Sequence, residues 1–284
     1  MSRDHPPAER QSPALAGGLG PLVAFTSLAI AGAGLAAASA CFALLYRHSW
    51  PPAAAAGALL LAAGLVLSFG HLGQKRRAGL AALGAGRSRL SNEVFAAALA
   101  LAGASAAAAA GLAGHSSTAL TAVSGALNAL FLLSIGYVYH LRGQRTWRGS
   151  SFLTPLSGGL AFGAIVIQAL SVRGGVFVGT LVLIAIDLLV FSQRWRELAG
   201  LQVPAPRVAG SWWPRRDQVL GARFFLVDVL PFFLLLTRLP GLAAACAAAG
   251  LIVDRAGFYA LAVQHTTEHE VAAVEDMLSK GSDS

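Results

Sequence analysis

The run LGPLVAFTSLAIAGAGLAAASACFALLY, from Leu19 to Tyr46, contains no charged residue. A bilayer is crossed by roughly 20 apolar residues in a helix, so this stretch is long enough to span one. It is longer than a secretory signal core. We therefore read it as a retained first helix, although Ala38-Ser39-Ala40 before Cys41 has the small-residue pattern of a cleavage site.

The rest of the chain repeats the pattern. Apolar segments recur at 51–73, 93–113, 117–140, 153–172, 175–193, 219–238 and 240–264, with polar or Pro/Gly-marked connections between them. Of the 284 residues 56% are apolar and only 12% charged, with a mean hydropathy of +0.64. A water-soluble domain of this size needs more polar surface. The fold class expected is all-α: a polytopic membrane protein with a bundle of about eight transmembrane helices. A polar tail (1–18) would precede the eight-helix domain (19–264) and a second polar tail (265–284) would follow it. Many segments are rich in Ala and Gly, as from Ala104 to Ala113, which suits close helix approach more than lipid-facing bulk.

Charge gives an orientation. Lys75, Arg76, Arg77, Arg87 and Arg89 fall between the second and third segments, Arg142, Arg145 and Arg148 between the fourth and fifth. Arg194, Arg196, Arg207, Arg215 and Arg216 fall between the sixth and seventh. With Arg3, Arg10 and Lys280 of the tails, all lie on one side, against Arg47, Arg173 and Arg238 on the other. The positive-inside rule then predicts both termini in the cytoplasm and accounts for the net charge of +8 without nucleic acid. Trp147, Trp195, Trp212 and Trp213 flank the basic loops, as an interfacial belt would. Cys41 and Cys246 lie in apolar segments and read as small buried hydrophobes; two cysteines cannot hold an iron–sulfur cluster.

Chemistry concentrates where the second segment ends and the third begins: His71-Leu72-Gly73-Gln74-Lys75-Arg76-Arg77-Ala78, then Arg87-Ser88-Arg89-Leu90-Ser91-Asn92-Glu93. A histidine at one helix end and a glutamate at the next helix start can converge at one membrane face. Such a pair serves a proton or ligand path, or else His71 meets a headgroup and Glu93 neutralises an arginine of its own loop. Asp187 and Asp228 fall inside the sixth and seventh segments. They read either as a proton or ligand path or as carboxylates paired internally with Arg223, Arg255 or a helix terminus. No span carries the deep histidine pair a transmembrane haem requires, and His265 and His269, at i,i+4 in the tail, have no evident third ligand for a metal.

This stretch resembles the signature of the DmsC family, the membrane-anchor subunits of dimethyl sulfoxide reductase-type molybdoenzymes. His71-Leu72-Gly73, Arg77-Ala78 and Leu90-Ser91-Asn92-Glu93 match in type and order. So do Thr146-Trp147 followed by Thr154-Pro155-Leu156, and Arg255-Ala256-Gly257-Phe258-Tyr259. The resemblance implies a subunit that oxidises menaquinol or ubiquinol in the bacterial cytoplasmic (inner) membrane. Its electrons would pass to a ferredoxin-like iron–sulfur subunit and on to a molybdopterin catalytic subunit, with no haem or iron–sulfur cluster in this chain. It implies His71 and Glu93 as the quinol-reactive pair, with Gly73 and Arg77 completing the quinol site. Asp187, Asp228, Asp254 and Arg255 are the candidate proton path. The sequence departs from the family where a proline usually follows His-Leu-Gly and Gln74-Lys75-Arg76 stands instead. The acidic residue that usually precedes the last helix's arginine is also missing, with Asp254 adjacent to Arg255 as the available substitute. The readings that compete are a small-solute transporter, which the intramembrane charges would suit, and a structural anchor without a working quinol site.

Overall fold

The computed structural model describes residues 15–71, 86, 88–138, 140, 149–171, 176–201 and 215–260; within these, the side chains of 15–19 and 69–71 are not described. Among the described residues there are eight long helices and no strand. They are α1 (Leu15–Tyr46), α2 (Pro51–His71), α3 (Arg89–Leu112), α4 (Thr118–Val138), α5 (Thr154–Leu170), α6 (Phe177–Ala199), α7 (Arg216–Leu236) and α8 (Pro240–Ala260). A 3₁₀ turn, Gly149–Phe152, leads into α5. Seven of the eight are long and apolar enough to cross a membrane. The chain is an all-α polytopic membrane protein.

The exception is α5, whose 17 residues span roughly 26 Å at 1.5 Å per residue, less than a full hydrocarbon core. It does not have to match the bilayer, because protein surrounds it: most of its residues from Thr154 to Ile167 are buried. The other interior helix is α1, which packs against α2, α4, α5 and α8. The two meet backbone to backbone. A Cβ added at Gly34 would lie 2.1 Å from the Gly159 carbonyl oxygen, and one at Gly163 would lie 2.5 Å from that of Gly34. Gly32 and Gly57 bring α1 and α2 together in the same way. Lipid gives apolar side chains no reason to prefer each other, so close dispersion contact between small residues holds such a bundle. The expectation drawn from Ala and Gly content therefore holds, and it is strongest along α1.

Several helix boundaries differ from those expected, α1 and α7 starting early among them, and two have consequences for the site. Helix α3 starts a turn early, because the Ser88 hydroxyl caps it by accepting the Ser91 N–H at 3.0 Å. Glu93 thus lies inside the helix and not at its head. Helix α6 continues past residue 193 to Ala199, so Arg194 and Arg196 are helical and not loop cations. Arg194 is 3% exposed, which removes it from the surface charge used to orient the chain. Arg89 and Arg216 likewise open helices α3 and α7.

Candidate functional site

Each described residue around Glu93 has a local task. Asn92 Oδ1 accepts the Gly86 N–H at 2.6 Å, tying the incoming loop to the helix at a glycine with φ +85°. That backbone conformation suits a residue without Cβ. Ser91 and Ser88 hydroxyls lie 2.8 Å apart. Arg89 turns to α4: it donates to the His140 carbonyl at 2.6 Å and lies 4.5 Å over the Tyr137 ring. Glu93 is only 6% exposed and makes no hydrogen bond or ion pair with another described residue. A carboxylate buried in a membrane helix is costly unless a proton, a cation or a ligand compensates it, and the loop cations Lys75, Arg76, Arg77 and Arg87 lie outside the described residues. Helix α3 packs against α2, whose last residue is His71. The His71 side chain, Gly73 and Arg77 lie outside the described residues.

A second constellation joins α5, α6, α7 and α8. Arg223 of α7 donates to Asp187 of α6 at 2.5 Å and to Asp228 of its own helix at 2.6 Å. Asp187 also accepts the Ser157 hydroxyl of α5 at 2.7 Å. Asp254 of α8 accepts from Arg255, with Nε at 2.9 Å, and lies 3.7 Å from Arg194 and 3.8 Å from Arg223. Arg194 in turn donates to the Thr154 hydroxyl at 3.2 Å. Phe191 lies under Arg223 at 4.0 Å, and Phe258 takes Arg255 at 4.8 Å and Arg194 at 5.3 Å. The aromatic faces cover the buried guanidinium planes. All three arginines and all three aspartates are buried.

Helix irregularity builds this network. Residues five apart on an α-helix diverge by about 140°, so Arg223 and Asp228 would point apart. From Phe225 to Val229 the chain instead makes a π turn, with the Leu230 N–H bonded to the Phe225 carbonyl. Pro231 supplies a reason: without an N–H it cannot give the Val227 carbonyl its α-helical donor, and its ring crowds that turn. The wider turn swings Asp228 back towards Arg223, and π turns of this kind recur at functional sites.

The chain matches no protein-family model, and no curated protein is significantly similar to it. Its geometry therefore carries the functional argument.

Of the residues singled out in the sequence, Asp187, Asp228, Asp254 and Arg255 are brought together in one network, while Glu93 stands apart from it on α3. The pairing of Asp187 and Asp228 with Arg223 is the internal neutralisation that was one of the two readings of them. Sequence reasoning missed Arg194 and Ser157 as members of this network, and Thr154 entered only through the Thr154-Pro155-Leu156 resemblance. A signal for Arg194 was present: Asp187, Phe191 and Arg194 stand at i, i+4 and i+7, one face of a helix, once α6 is allowed two further turns. Ser157 and Thr154 carry no such signal, since either reads as an ordinary small polar residue at a membrane helix end.

Proposed function

We propose that this chain is the membrane-anchor subunit of a DMSO reductase-type molybdoenzyme complex. It takes electrons from menaquinol or ubiquinol and passes them to a ferredoxin-like iron–sulfur subunit, which feeds a molybdopterin catalytic subunit. The observation that carries this reading is Glu93: a buried carboxylate with no partner among the described residues, on a helix packed against the one that ends at His71.

Oxidation of a quinol to a quinone releases two electrons and two protons. The site needs an acceptor for a hydroxyl hydrogen bond and a base that carries a proton towards water. An imidazole is both a hydrogen-bond acceptor and a donor and suits the first role, which we assign to His71. The carboxylate of Glu93, near a helix end and short of partners, suits the second. We assign Gly73 to the same site for its lack of a side chain, and Arg77 as the guanidinium that would orient a quinol oxygen. The positive-inside rule, read from the basic loops, supports a site at the cytoplasmic face of a bacterial inner membrane, with both termini on that side. An iron–sulfur subunit docked on the same face keeps the electron path short.

Binding of a quinol analogue by the purified chain tests the reading. Saturable binding that is lost in Glu93→Gln supports it, and absence of binding to well-folded protein removes it. A second reading, a small-solute transporter, draws on the charges buried in α6–α8. Solute uptake by liposomes holding this chain alone, without partner subunits, would favour it.

A further inference from the structure

The six buried charges of α6–α8 balance as a whole, three aspartates against three arginines, but they do not balance locally. Asp187 lies roughly 15 Å along α6 from Phe177 and 18 Å from Ala199, near mid-span; Asp228 is similarly central in α7. These two carboxylates share one guanidinium, that of Arg223. Closer to the helix ends that carry the basic loops, Asp254 stands between Arg194 and Arg255. With every group ionised, the inner set holds one negative charge too many and the outer set one positive charge too many. An uncompensated charge at mid-bilayer is the costliest place for one, and a single proton removes it.

The geometry selects the oxygen that takes the proton. Both oxygens of Asp187 are engaged, one by Ser157 and one by Arg223. Among the described residues Asp228 is bonded through Oδ2 only, and its buried Oδ1 has no hydrogen-bond partner there. The polar lining also has a direction. From Asp228 it continues through Arg223 to Asp254, then Arg194 and Thr154. The Ser150–Glu197 pair lies beyond, at the end of α6. Towards the opposite end, residues 177–186, 229–236 and 240–253 contain no charged side chain. We infer that Asp228 is an intramembrane proton-binding site, in exchange with the face that carries the basic loops. This goes beyond the quinol site and does not depend on it, since Glu93 lies on α3.

Infrared difference spectroscopy of the full chain in lipid vesicles, stepped through pH with carbon-isotope-labelled aspartate, tests the proposal. An aspartic-acid carbonyl band that shifts with the label is expected, and in Asp228→Glu a glutamic-acid band that the aspartate label leaves unshifted takes its place. The aspartic-acid band is lost in Asp228→Asn and also in Asp187→Asn, because removal of either carboxylate removes the surplus charge. Glu93→Gln leaves this band in place, even where quinol binding fails. The band responds to a pH step on the basic-loop face. Three results would overturn the proposal: no aspartic-acid band in protein whose amide bands remain helical, a band that survives Asp228→Asn, or a response only to pH on the opposite face.

Discussion

Arg223 and Asp228, five residues apart in one helix, meet at 2.6 Å because the π turn at Phe225–Val229 brings them onto one face. Arg223 thereby anchors α7 to α6 through Asp187 and to α8 through Asp254. Removal of one partner from a buried ion network strands the others, at a cost of about 3–5 kcal/mol. Arg223→Met is thus expected to lower unfolding stability in detergent by about that much. Adding Asp187→Asn and Asp228→Asn to Arg223→Met should restore part of the loss, since the stranded charges then vanish. Equal stability of Arg223→Met and the native chain would mean that the network contributes nothing to packing.

The contact between α1 and α5 makes a sharper packing prediction. Gly34→Ala forces a Cβ against the Gly159 carbonyl, where no flexible side chain can yield. Overpacking of this kind typically costs about 1–3 kcal/mol. Gly20→Ala, in the same helix with nothing within 4 Å of the added Cβ, is the control. It should be neutral or stabilising by up to about 1 kcal/mol. Thermal unfolding of the two variants side by side checks the pair.

Much of this architecture can be read from the residues alone. Uninterrupted apolar runs such as 19–46 define the spans, because lipid leaves a helix few alternatives. Helix ends are harder to read, because a cap and a buried charge each override the hydropathy pattern. Ser88 draws α3 back by a turn, and buried partners let α6 carry Arg194 inward, where hydropathy alone ends the span. The site divides along the same line. Glu93 stands out as a charge in an apolar segment, whereas the Arg223–Asp228 contact depends on a π turn whose one sequence trace is Pro231. Which arginines are structural and which face water follows only from the packing.

The Ser88 cap has its own test. Ser88→Ala removes the acceptor of the Ser91 N–H and should cost about 1 kcal/mol locally. Amide exchange over residues 89–92 is then expected to rise about fivefold, with the rest of α3 unchanged. A matching fall in quinol binding would connect the cap to the placement of Glu93.

The proposed orientation, with both termini cytoplasmic, rests on the loops that retain their charge after Arg194 is moved to the interior. Alkaline phosphatase fused at either terminus is expected to be inactive, and a cytoplasmic reporter at either terminus active. Phosphatase activity at one end would reverse the assigned face of that end and the entry side of the Asp228 path.

The central claim is that Glu93 serves quinol oxidation. The direct measurement is quinol-dependent reduction by the assembled complex carrying Glu93→Gln, with assembly and artificial-donor activity followed in parallel. We expect quinol-dependent turnover to fall by at least about 100-fold, the scale on which a lost general base acts, while assembly and artificial-donor activity persist. Undiminished quinol-dependent turnover in that variant would contradict the account.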